Sequence, residues 1–114
     1  MKIESYSFGK MKIGSTVYSS DLLIYNDEVN DSWWRKKGHR VSLKDLEWLL
    51  KKNPDYIIIG KGNPGLMKVP GNVIEALEKK GIEIFVGSTK KAVSKFNSLS
   101  DKNINIGAGF HLTC

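Results

Sequence analysis

Apolar residues in the first third of the chain come in short runs split by turn residues. Ile3, Tyr6 and Phe8 lead to Gly9, Met11 and Ile13 lead to Gly14, and Val17 and Tyr18 lead to Ser19-Ser20-Asp21. Leu22-Leu23-Ile24-Tyr25 then leads to Asn26-Asp27. Runs of this kind, bounded by Gly, Ser, Asn and Asp, predict a strand meander. Asp31 to Gly38 reads as a loop or one further strand.

Beyond residue 40 the period changes. Leu43, Leu46, Leu49 and Leu50 fall on one helical face, with Trp48 off that stripe. Ser42 and Asp45 have the spacing of a capping-box-like start, and Asn53-Pro54 is a stop. A second helix is expected from about Pro70, with Val73, Ile74 and Leu77 inward and Gly81 as its left-handed cap. A third opens at Ser88, with Ala92, Val93, Phe96 and Leu99 as its apolar stripe. Between these helices lie two continuous apolar runs, Asp55 to Gly60 and Ile82 to Val86. A last strand is expected at about Ile104 to Ala108.

Pro54 to Asn97 therefore reads as one β-loop-α-β-α unit. Two strands joined through a helix in one sheet run parallel with a right-handed crossover. The expected fold is α/β: a three-layer α/β/α domain with a mixed central sheet, helices on both faces, and an N-terminal β-meander at one edge.

Size and charge add bounds. The 114 residues make one expected domain, residues 1–114, large enough for a core without disulfides. The lone cysteine, Cys114, cannot form an internal disulfide, the start lacks an apolar signal segment, and no apolar run is long enough to span a membrane. These features set the expectation of a soluble cytoplasmic protein with no membrane association. The net charge is +6, and its excess is uneven. Arg35, Lys36, Lys37, Arg40, Lys44, Lys51 and Lys52 face only Asp45 and Glu47 within that stretch. Lys90, Lys91, Lys95 and Lys102 near the end face only Asp101. Such a field attracts acidic partners or nucleic acid, and it also serves as a solvated surface.

Glycine at the carboxyl ends of buried strands marks the place of a pocket. The candidate pocket is formed by Gly60, Lys61, Gly62, Ser88 and Thr89, whose N–H groups and ammonium would hold a small anion weakly. The alternative is a glycine-rich turn beside a self-capped helix. Gly60-Lys-Gly-Asn-Pro-Gly65 matches the glycine spacing of dinucleotide loops, but Pro64 and Leu66 to Pro70 intervene before the helix, so no cofactor is assigned. His39, His111 and Cys114 are too few for a zinc site and lack an enforced dyad geometry, so no catalytic residue and no metal are assigned. Trp33, Trp34, Arg35, His39 and Arg40 make an aromatic-basic face for a protein partner or for nucleic acid. With no base-reading motif, only weak, salt-sensitive nucleic-acid binding is expected there. Self-association stays open.

Several strings together carry a resemblance. These are Trp33-Trp34-Arg35-x-x-Gly38-His39-x-Val41 running into Asp45-Leu46, and Pro54-Asp55-Tyr-Ile-Ile-Ile-Gly60-x-Gly62. Thr89-x-x-Ala92 with Phe96-Asn97 and the ending His111-Leu-Thr-Cys114 complete the set. In order and spacing the chain resembles the Mth-domain proteins, a small family of unknown function. That family includes a mitochondrial assembly factor for respiratory complex I (NADH dehydrogenase) and an adipogenesis-associated protein. Lys61 departs from the threonine that relatives tend to carry between the two glycines. The resemblance implies a three-layer α/β/α domain and a non-enzymatic binding or assembly role, with no catalytic residues to carry over. The readings it leaves are a binding or assembly module, an enzyme or sensor acting on a small anion, and a non-specific nucleic-acid binder.

Overall fold

In the computed structural model, which describes residues 1–114, the chain forms two sheets and three α-helices. Strands β1 (Ile3–Ser7), β2 (Lys10–Ile13) and β3 (Thr16–Tyr18) make a small antiparallel sheet. The central sheet contains β4 (Leu22–Tyr25), β5 (Glu28–Asn30), β6 (Tyr56–Gly60), β7 (Glu83–Gly87) and β8 (Ile106–Phe110), in the order β5-β4-β8-β6-β7. It is mixed, as expected: β6 runs parallel to both β7 and β8, while β4 runs antiparallel to β8 and β5. The crossover from β6 to β7 passes through α2 (Gly71–Lys79).

One correction concerns the meander, which does not stay together at one edge. β1–β3 leave the central sheet and β4–β5 join it. Burial explains the split. β2 alternates exposed and buried residues, as a one-sided sheet requires, whereas Leu22, Leu23 and Ile24 are all buried, as a strand covered on both faces requires. The last strand also lies two residues later than its pattern suggests. Gly107 and Gly109 are not breakers there. A Cβ on Gly107 would sit 3.1 Å from the Leu49 side chain, and one on Gly109 would sit 2.8 Å from the Trp33 ring. The glycines clear space for what packs on β8.

The first helix is short. A 3₁₀ turn at Lys44–Leu46 runs into α1 (Glu47–Leu50). Only one half of the capping box forms, with the Ser42 N–H donating to the Asp45 carboxylate at 2.8 Å. Trp48 does not turn away. It packs at the margin of the core beneath α1, with the Lys52 ammonium 4.6 Å from its ring. α3 (Thr89–Leu99) starts as expected, with the Ser88 hydroxyl accepting from the Lys91 N–H. Two cores follow from this layering. Leu46, Leu49, Val73 and Leu77 cover one face of the sheet, while Ala92, Phe96 and the small sheet's Ile3, Met11 and Ile13 cover the other. No helix is long and apolar enough to cross a membrane.

One side chain ties the small sheet to α3. The Asn97 amide accepts from the Ile3 N–H at 2.8 Å and donates to the Ile3 carbonyl at 2.9 Å, as a neighbouring strand would. Asn97→Ala leaves both backbone groups unpaired and is expected to cost about 1–3 kcal/mol in urea unfolding. Amide exchange should quicken in β1 and stay slow in β6.

Candidate functional site

The parallel strands deliver their following loops to one end of the sheet, where Gly60, Gly62 and Thr89 meet. Thr89 is fully buried. Its hydroxyl donates to the His111 carbonyl at 2.6 Å and accepts from the Gly62 N–H at 2.8 Å. The Thr89 N–H donates to the Gly62 carbonyl at 3.0 Å. Of the expected pocket, Gly60, Gly62 and Thr89 converge, but the chain's own end fills the space between them. The Asn63 N–H donates to the Thr113 carbonyl, and the Leu66 N–H to that of Cys114. A Cβ on Gly62, whose φ is +96°, would overlap the Thr113 carbonyl oxygen. Gly62 is glycine because the tail lies against it. Ser88 is occupied as the α3 cap.

Lys61 sits apart from that packing. Its side chain lines an outer groove of about 590 Å³ with Arg40, Leu66 and Lys68. None of these three cations is in an ion pair. Arg40 and Lys68 are held side by side by a parallel bridge between loops.

The aromatic-basic residues divide by depth. Trp33 is 5 % exposed, and its indole N–H donates to the Asp45 carbonyl at 2.9 Å. Trp34, the next residue, is 87 % exposed. The Arg35 guanidinium lies 4.5 Å from the Trp33 ring centroid. It donates through Nε and Nη2 to the Gly38 carbonyl, and through Nη2 to Asp21 Oδ2 at 2.6 Å. His39 is exposed, its ring edge-on to His111 with centroids 5.6 Å apart.

Asp21 was legible in the sequence only as a turn residue, yet it organises this end. Its carboxylate also meets His111 Nδ1 at 2.7 Å and accepts the Leu112 N–H at 2.8 Å. Burial alone would push Asp21 up, but bonds from His111, Leu112 and Arg35, with the Arg35 charge, hold it below its ordinary value. An ionised carboxylate only accepts, so His111 Nδ1 carries the proton. The Arg35 and His111 side chains are 5 % and 8 % exposed, and Arg35 Nη1 and His111 Nε2 have no partner. An Asp–His pair of this geometry is how a general base is oriented. Here Nε2 is buried, and Cys114 is exposed with no bond to it. No three His, Cys, Asp or Glu side chains gather as metal ligands.

A family profile matches residues 3–111, nearly the whole chain. The chain belongs to the family described as "Protein of unknown function (DUF498/DUF598)". Among solved structures it is similar to the conserved hypothetical protein PH1505 from Pyrococcus horikoshii OT3, at 25 % identity and TM-score 0.84 over 100 % of both chains. A Bartonella henselae protein described as an outer membrane protein shares the fold at 19 % identity and TM-score 0.82, over 98 % of this chain and 94 % of that one. So does a Bordetella pertussis protein described as a Mth938-like domain, at 11 % identity and TM-score 0.75, over 97 % and 85 %. The profile match agrees with the resemblance of the sequence motifs to a family of unknown function, and the Mth938-like neighbour shares its fold.

Two outcomes test this site. Asp21 sits below its ordinary value when folded, so its stabilisation is complete above the unfolded carboxylate value of about 4 and drains as pH falls through the folded one. Asp21→Asn leaves Arg35 buried without its counter-charge and is expected to cost about 3–5 kcal/mol near neutral pH. Its urea midpoint should also respond less to acid than that of the parent chain. Gly62→Ala forces the tail out, at an expected cost of about 1–3 kcal/mol. Carboxypeptidase trimming of residues 112–114 should then accelerate.

Proposed function

We propose that this protein is a non-enzymatic binding or assembly module whose contact face is the loop 31–40. The observation that carries the reading is Trp34: a large indole, 87 % exposed, beside a groove of about 480 Å³ lined by Ser20, Asp21, Asp31, Ser32, Trp33, Arg35 and Gly38. The loop is anchored on both sides of Trp34. Trp33 is buried before it, Arg35 is locked after it, and the Lys36 N–H donates to the Asp45 carboxylate. Aromatic and arginine side chains held in place before binding supply affinity at low ordering cost. This reading agrees with the assembly role that the resemblance implies.

A second reading has one observation of its own. Arg40, Lys61 and Lys68 line one groove without counter-charges, which favours weak capture of a small anion there rather than at Gly62 and Thr89. The catalytic reading has no comparable support, since the one oriented imidazole is sealed.

The test is photo-crosslinking in cells with a benzophenone side chain at Ser32, which lines the groove, or at Val17, exposed on the small sheet. A discrete adduct from position 32 alone is expected. Trp34→Ala should abolish it while shifting stability by no more than about 0.5 kcal/mol. Equal adducts from both positions, or an adduct indifferent to Trp34, would sink the proposal.

A further inference from the structure

Strand β7 ends the five-stranded sheet, and its outer edge is unpaired. The inner edge is bonded to β6 and its flanks: the Glu83 N–H donates to the Asp55 carbonyl at 3.1 Å, and the Gly87 carbonyl accepts from the Lys61 N–H at 2.8 Å. In a parallel ladder only alternate residues of a strand address a given neighbour. Glu83, Phe85 and Gly87 therefore face β6, and the N–H and C=O groups of Ile84 and Val86 point away from the sheet. No turn, loop or terminal segment takes them up. Five residues long, without proline, lysine or a bulge, β7 has only Glu83 among the devices that blunt open edges.

The flanks of this edge differ in chemistry. On the α3 face, Phe85, Lys90, Lys91, Ser94 and Lys95 line an open groove of about 670 Å³. The Lys95 ammonium lies 5.8 Å from the Phe85 ring, and none of the three lysines is in an ion pair. On the other face, Ile84 and Val86 are half-buried against the core beneath α2. An added strand would present alternate side chains to a cationic groove and to an apolar margin.

We propose that β7 receives an extended acidic segment of a partner protein as an added strand, with alternate carboxylates reaching Lys91 and Lys95. A second copy of this chain is the rival occupant. Antiparallel pairing of β7 with itself would put both α3 helices on the same face and turn their lysines toward each other. That repulsion disfavours the pairing. This surface is distinct from the loop 31–40, so the two proposals stand or fall separately.

The probe is a blocked peptide of about eight alternating Glu and Val residues, matched to an ordinary strand length. Hydrogen exchange followed by NMR should show the Ile84 and Val86 amides exchanging freely in the chain alone and protected on peptide addition. Lys91→Glu with Lys95→Glu should weaken binding by about tenfold or more, and a Thr-Val peptide should bind at least that much more weakly than the Glu-Val one. Val86→Pro, which removes an outward N–H from an edge strand, should block binding in a chain whose thermal melt shows it folded. The proposal is overturned by an absence of protection, by protection elsewhere, or by equal binding of the neutral peptide. Amides already protected in a chain that sediments as a dimer would overturn it too, in favour of the second copy.

Discussion

A single buried carboxylate holds one end of this molecule in register. Asp21 takes hydrogen bonds from the loop after β5, through Arg35, and from the tail after β8, through His111 and Leu112. A buried ion pair adds little net stability over an apolar equivalent, because desolvation offsets much of the attraction. Its effect here is on arrangement. With Arg35 fixed, the guanidinium covers one face of Trp33 and ties back to Gly38. Trp33 is fixed in the clearance over Gly109, and the chain turns tightly there, the Trp34 N–H donating back to the Ser32 carbonyl at 3.0 Å, which leaves Trp34 outside. The exposed Trp34 thus stands between a buried Trp33 and an Arg35 held by the buried carboxylate.

What was legible in the sequence was local in origin. The parallel pairing of β6 with β7 follows from two continuous apolar runs and one helical period between them. The stripe of α3 follows from Ala92, Phe96 and Leu99. Neither needs knowledge of distant residues. Asp21 lies 14 residues from Arg35 and 90 from His111, so no window of sequence contains their relation. A lone acid before a strand looks like any turn acid. The split of the meander was visible in principle, because Met11 and Ile13 alternate with lysines while Leu22 to Ile24 do not alternate at all.

The glycines mislead for a physical reason. Glycine at a strand end lets another group come close, but sequence does not say whether that group is a ligand or the chain itself. At Gly60 it is Thr89 and Phe110, at Gly62 the tail, and at Gly109 the Trp33 ring. The pocket expected from Gly60, Lys61, Gly62, Ser88 and Thr89 corresponds in the fold to a contact of Gly60, Gly62 and Thr89, with Lys61 in a separate groove. The expectation lacked the one fact that decides the use of the space, which is where residues 111–114 go.

That placement bears on the choice between binder and catalyst. To use the buried His111 Nε2 as a base, the chain would have to open the packing around it, and moving His111 would pull residues 112–114, which follow it directly, from their dock. Release loses the bonds from Leu112 to Asp21, from Gly9 and Tyr6 to Leu112, from Asn63 to Thr113 and from Leu66 to Cys114. Each is worth about 1 kcal/mol net, and exposing the Leu112 side chain costs about 2 kcal/mol more. Freed backbone entropy returns about 1–2 kcal/mol per residue. The docked tail is therefore favoured by roughly 1–4 kcal/mol, and a base that works only in the open state would be slowed by the fraction of time the tail spends docked. The proposed recognition through Trp34 incurs no such cost, since that side chain is already exposed while the tail is docked.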